Sequence, residues 1–131
     1  MKKTEVIETK TTSISIDHEG ILRVKIKQGA KVDEEEVRKC FTIIKTLSNG
    51  NKLLELMEGG NFFTFDEAAQ KYAAKYGKDH FIASAIIIRS IGVRLLYNFF
   101  NTFFKQTVPF KMFADEKSAL KWLRGFKKTQ S

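Results

Sequence analysis

The chain has 131 residues, 43% hydrophobic and 29% charged, with one proline, a balance that fits one folded domain and excludes a disordered tail or a fibre. At this length about two-thirds of the surface of the unfolded chain is buried on folding, so the core needs neither a disulfide nor a structural metal. Lys and Arg total 23 against 15 Asp and Glu, a net charge of +8, which directs attention to anionic partners. The basic residues are scattered among carboxylates with no recognition motif, so nucleic-acid binding is a minor reading.

Residues 1–11 show no hydrophobic period and are expected to form a mobile or loosely attached segment, with the domain spanning residues 12–126. Two alternating runs, Ile14-Ser15-Ile16 and Leu22-Arg23-Val24-Lys25-Ile26, flank Asp17-His18-Glu19-Gly20 and predict a β-hairpin. Arg23, Lys25 and Lys27 share its outer face, as a solvated surface or as a docking surface for an acidic partner. Asp33 and Glu36 form a capping box, after which Val37, Cys40, Phe41, Ile44 and Leu47 recur at helical spacing until Asn49-Gly50 stops the run. Leu53-Leu54-Glu55-Leu56-Met57 suits an interior strand covered on both faces. Asp66 is the next N-cap, for a helix carrying Ala69, Tyr72, Ala73 and Tyr76 and closed by Gly77. Residues 81–88 predict a buried strand in which Ala83-Ser84-Ala85 lets a helix pack closely. A third helix is expected over residues 90–105, ended by Thr107-Val108-Pro109. Residues 110–113 form a last strand, Asp115 caps a final helix through about Phe126, and residues 127–131 are expected to be a polar tail.

The predicted order is ββαβαβαβα with four helices, an α/β fold whose mixed sheet is mostly parallel after the opening hairpin. The longest apolar stretch, residues 82–88, is far short of the ~20 residues of a membrane span. The start lacks the apolar region of a secretory signal. A single cysteine excludes an intramolecular disulfide and paired-cysteine zinc or redox motifs, and it fits a cytoplasmic location.

This order resembles the STAS domain (sulphate transporter and anti-sigma-factor antagonist), in particular its small stand-alone bacterial relatives, sometimes grouped with CRAL-TRIO lipid-binding proteins. The likeness covers residues 12–126. Its most specific part is Val108-Pro109-Phe110-Lys111-Met112-Phe113-Ala114-Asp115-Glu116-Lys117-Ser118-Ala119-Leu120-Lys121-Trp122-Leu123, which looks like the family's closing strand, turn and last helix. In STAS antagonists the regulatory site is a phosphorylatable serine at the start of the helix after the third strand. Here that stretch, Glu58-Gly59-Gly60-Asn61-Phe62-Phe63-Thr64-Phe65-Asp66, holds no serine. Thr64 is its one hydroxyl and is the candidate anion or modification residue, although a phosphate there would sit beside Asp66 and Glu67.

Catalytic groups are scarce: two histidines, one cysteine, and no motif for a nucleophile, a metal or any other cofactor. His18 falls in the hairpin turn, His80 stands beside Asp79, and Cys40 lies on an apolar helical stripe, so each has a structural role by default. Ten of the 12 phenylalanines lie between Phe62 and Phe113. On the third helix Val93, Tyr97, Phe100 and Phe104 form an outer stripe beside the one that faces the sheet, giving an apolar arc well beyond the ~100° a surface helix buries. Three occupants are open: other parts of the chain, a second copy of it, or an apolar ligand. The sequence therefore points to a non-enzymatic STAS-like regulatory or interaction domain, dimeric through that stripe or bound to a regulatory protein. The alternative is a carrier of a lipid-like molecule in a cleft formed by Phe62, Phe63 and Phe65 with the third helix.

Overall fold

The computed structural model of the chain describes residues 5–59, 62–88 and 108–130. In chain order these form β1 (Ile7–Glu8), β2 (Thr12–Ile16), β3 (Leu22–Ile26), β4 (Lys31–Val32), α1 (Glu34–Ser48), β5 (Leu53–Gly59) and β6 (Thr64–Phe65). There follow α2 (Glu67–Tyr76), a 3-10 turn (Gly77–Asp79), β7 (Phe81–Ile87), β8 (Phe110–Phe113) and α3 (Glu116–Gln130). The main sheet runs β1-β2-β3-β5-β7-β8, antiparallel across β1-β2-β3 and parallel across β3-β5-β7-β8. This is the α/β class and mostly parallel sheet expected from the sequence. The helix expected over residues 90–105 lies outside the described residues. No described helix is long and apolar enough to cross a membrane.

The hairpin forms because its turn satisfies itself. Gly20 takes φ +83°, a left-handed conformation that a side chain resists. Asp17 accepts backbone hydrogen bonds from Glu19 and Ile21 and a third from Arg23 Nε at 2.9 Å. Arg23 also reaches Glu116 at 3.2 Å, and Lys27 reaches Glu8 at 3.1 Å. Two of the three cations on the outer face of β3 are thus paired with carboxylates, as a solvated sheet face requires.

Two hydrophobic layers flank the sheet. Leu22, Val24 and Ile26 of β3 and Ile86 of β7 pack with Val37, Phe41 and Ile44 of α1 and Ala69 and Ala73 of α2. On the opposite face Leu54, Leu56, Ala83, Ala85 and Ile87 pack with Ala119, Leu120 and Leu123 of α3. The alanines of β7 meet Ala119 there, the close helix approach that the small residues predict. Each helix starts as read from the sequence: Asp33 accepts from the Glu36 amide at 2.9 Å, Asp66 from Ala69 at 2.8 Å, and Asp115 from Ser118 at 2.8 Å.

Three expectations are corrected. Within the segment taken as loose, Ile7–Glu8 pairs antiparallel with β2, and Thr9 and Thr11 are buried. The cause is Glu36, which is 1% exposed and accepts from Thr9 Oγ1 at 2.9 Å and Thr11 Oγ1 at 2.5 Å. The carboxylate that a capping box would turn back to Asp33 is spent on these threonines, so the box forms in one half only. Burial pushes the Glu36 carboxyl up, but hydrogen bonds from Thr11 and Thr9 and the charges of Lys39 and Lys10 outweigh it and hold the group below the usual range. The tail expected at residues 127–131 is also corrected, because α3 continues to Gln130 and Lys127 Nζ lies 3.4 Å from Glu19 Oε2. Finally, β4 and β6 form a separate two-stranded parallel ladder that has no counterpart in the predicted order.

Glu36→Ala leaves the hydroxyls of Thr9 and Thr11 buried without their acceptor and is expected to cost about 2–3 kcal/mol. Urea unfolding checks this, and a loss below ~0.5 kcal/mol, the range of an indifferent surface change, would show that the carboxylate does not hold the N-terminal strand.

Candidate functional site

The aromatic run before α2 is divided by its backbone. Phe63 is 6% exposed and belongs to the core. It packs so closely on Gly59 that a Cβ there would collide with the Phe63 ring. Phe65 is half-buried, its ring 6.0 Å from that of Phe63 and nearly perpendicular to it. Phe62 points the other way: it is 81% exposed and takes φ +60°, a conformation unfavourable for a bulky residue. The β4-β6 ladder fixes this arrangement, since Thr64 N donates to Ala30 O at 2.8 Å and Asp66 N to Val32 O at 3.1 Å. Of the three phenylalanines proposed to share a cleft, one is therefore in solvent and one in the core. Thr64 is exposed in β6, two residues before the cap of α2. The position an anion would take at the start of that helix is filled by the Asp66 carboxylate itself. Val93, Tyr97, Phe100 and Phe104 lie outside the described residues.

A group not singled out in the sequence lies at the centre of the sheet. Glu55 of β5 is 4% exposed, faces the α1/α2 layer beside Met57, and stands in register with Ser84 of β7. Ser84 Oγ donates to Glu55 Oε1 at 2.6 Å. The carboxyl lines two small spaces in that layer. One is about 60 Å³ and includes Val24, Ile26, Cys40, Phe41 and Ala73 in its wall; the other is about 30 Å³ and includes Phe63, Ser84 and Phe110. Met57 and Phe65 border both. Burial pushes the Glu55 carboxyl up to about 7, with the Ser84 hydrogen bond opposing it. The sequence did carry a signal, a single charge inside an apolar run suited to a strand with no wet face.

The remaining titratable candidates are dispersed. His18 is exposed in the hairpin turn. Burial pushes the Cys40 thiol up, the reverse of what a reactive thiolate needs. His80 packs against Phe41 with ring centroids 4.7 Å apart and the planes tilted by 48°, and burial lowers its pKa despite the Asp79 charge. It borders a surface cleft of about 410 Å³ with Arg38, Lys45 and Tyr72. That cleft opens at the amino ends of β5 and β7, where Leu53 N donates to His80 O, whereas open α/β sheets hold ligands at the carboxyl ends of their strands. Among the described residues no three His, Cys, Asp or Glu side chains gather as a metal site.

Glu55 makes stability depend on pH. Its folded value is raised above the unfolded one, so its contribution is complete below about 4.5 and is lost as pH rises through about 7. Over that interval the loss is of the order of 3 kcal/mol. Glu55→Gln keeps an acceptor for Ser84 without a titratable proton, so it is expected to match the wild type near pH 4.5 and to exceed it in stability above pH 7.5. Urea unfolding at the two pH values measures this, and parallel pH profiles would overturn the reading of a buried acid.

Comparison with known proteins bears on fold and family. No curated protein matches the chain. Among solved structures, an uncharacterised protein of the DUF3478 family with a SpoIIAA-like fold, from Shewanella loihica PV-4, superposes with a TM-score of 0.60 at 21% sequence identity, covering 94% of this chain and 97% of the other. The fold is therefore SpoIIAA-like, of the STAS type that the closing strand and last helix resemble. A family model described as a domain of unknown function, DUF7793, matches residues 14–127, and the chain belongs to that family.

Proposed function

We propose that this chain is a non-enzymatic STAS-like regulatory or protein-interaction domain that works as a homodimer. The observation that carries the reading is Phe62, an aromatic side chain held 81% exposed in a left-handed backbone conformation. A bulky residue at positive φ carries a strain of about 1–3 kcal/mol and persists where its surroundings impose it. Here the buried Phe63 and the β4-β6 ladder together fix the chain that follows Phe62. A rigid exposed aromatic of this kind suits a docking anchor, because little freedom is lost when it enters a pocket. Its place also matters: it stands on the loop before α2, where the STAS resemblance puts the regulated serine. With phenylalanine in that loop and no serine, the contact is apolar and set by concentration rather than by phosphorylation. Support for the absence of catalysis is chemical, since the half-buried Cys40 thiol is pushed up and His18 and His80 lie at separate places.

The partner in this reading is a second copy of the chain, with Phe62 and the stripe read from the sequence, Val93, Tyr97, Phe100 and Phe104, as the candidate contacts. A separate regulatory protein is the other partner of the same class. The carrier reading has less support, because Phe62 and Phe63 point to opposite sides of their turn. Native mass spectrometry and light scattering after size exclusion test the proposal together. A dimer without adduct is expected, with Phe62→Ala weakening it by about tenfold or more and the double substitution Phe100→Ala, Phe104→Ala abolishing it while circular dichroism stays unchanged. A monomeric wild type, or a dimer untouched by either variant, would sink the homodimer. A small-molecule adduct lost on denaturation would favour the carrier.

A further inference from the structure

Protein interiors keep few voids larger than a water molecule, and a carboxyl beside such a void is unusual because its charged form is unfavourable there. Glu55 meets both conditions: it is 4% exposed and borders spaces of about 60 Å³ and about 30 Å³. Among the described residues its hydrogen-bond partner is Ser84 at 2.6 Å, and no cation pairs with it. A carboxyl group offers about four lone-pair sites, so one serine leaves most of its accepting capacity unused. We propose that this space is a binding site for a small apolar molecule with one hydrogen-bond-donating head, a short-chain alcohol or primary amine, whose head is received by Glu55 and whose body lies against Val24, Met57, Phe65 and Ala73.

The chemistry of the wall selects the ligand. Burial pushes the Glu55 carboxyl up to about 7, so above that pH it is ionised and only accepts hydrogen bonds; the head must then donate, and an ammonium head would also neutralise the charge that burial penalises. Above that pH a carboxylate ligand would bring a second negative charge into the same low-dielectric space and is excluded. Among the described residues the rest of the larger space is walled almost wholly by carbon, with Thr12 and Cys40 the other polar side chains at its edge. Size is limited too: the void is well below the ~150 Å³ that admits benzene, which restricts the body to about three or four heavy atoms. Met57 gives the wall some tolerance, since its unbranched side chain adapts to irregular gaps. Ala73 leaves room on the helix side, because this buried position on α2 borders the space with a single methyl group. This site lies inside the layer between the sheet and the α1/α2 helices, apart from Phe62, and does not depend on self-association.

Methyl-resolved NMR titration of the full chain with 1-propanol, propylamine and propionate at pH 8.5, where Glu55 is ionised, tests the proposal. Saturable shifts at the Val24, Met57 and Ala73 methyls are expected for the alcohol and the amine but not for propionate. Ala73→Val fills the space and is expected to abolish both; Val24→Ile fills it from the sheet side and serves if the helix variant does not fold. Glu55→Gln is expected to weaken propylamine about tenfold or more, the loss of a desolvated charge partner, and propanol less than threefold. Shifts that never saturate, binding that survives both filling variants, or propionate binding as tightly as the amine would overturn the site.

Discussion

The structure depends on β5 having no wet face. It lies between β3 and β7 in the parallel part of the sheet, with α3 on one side and α1 and α2 on the other. A strand so placed alternates between two cores, and each fully buried leucine contributes about 1.5–3 kcal/mol by leaving water. Leu54 and Leu56 serve the α3 side, while Met57 serves the other. The neighbours follow from this. β7 carries Ala83 and Ala85 opposite α3 so that the helix can approach, and it carries Ser84 on the opposite face, where Glu55 needs a donor. One polar choice on the central strand has therefore fixed another on its neighbour through the parallel register.

Local signals were legible because their causes lie within a few residues. Asp33, Asp66 and Asp115 cap helices whose first free amides are three residues away, and Gly20 and Asn49 take backbone conformations that their own positions require. What was not legible is created by pairing across the chain. The two-residue strands β1, β4 and β6 are too short for any period and exist because a distant partner supplies hydrogen bonds. Glu36 shows the competition directly. Its spacing from Asp33 favours a local cap, yet Thr9 and Thr11, some 25 residues away, offer two donors in a buried place where a charge is otherwise costly. α3 outruns its predicted end because its last turn gains its partner from the hairpin rather than from the core.

The candidate sites were visible only as composition. An aromatic run announces apolar surface but not which ring turns outward, and the Gly59 backbone decided that by admitting Phe63 and leaving Phe62 outside. Glu55 could be seen as a misplaced charge, but its meaning required knowing that the space around it is incompletely filled. The void is walled by elements far apart in sequence, among them β3, α1, β5 and α2, and that separation hides it from any window.

The clasp between the hairpin turn and the last helix has a consequence for how the molecule is assembled. Arg124 donates to both oxygens of Glu19 at 3.0 and 2.7 Å, which holds that carboxyl down to about 2 and spans 105 positions of the chain. The hairpin is made by the ribosome well before α3 and can close on its own in microseconds. Its clasp must wait until α3 has emerged as well, because loop closure over that distance follows the local steps. Until then Ile21, fully buried beneath α3 in the finished protein, stands uncovered at the edge of the nascent sheet. The last helix is thus the lid on the first turn, and a chain stalled before it has been synthesised exposes an apolar face that chaperones recognise.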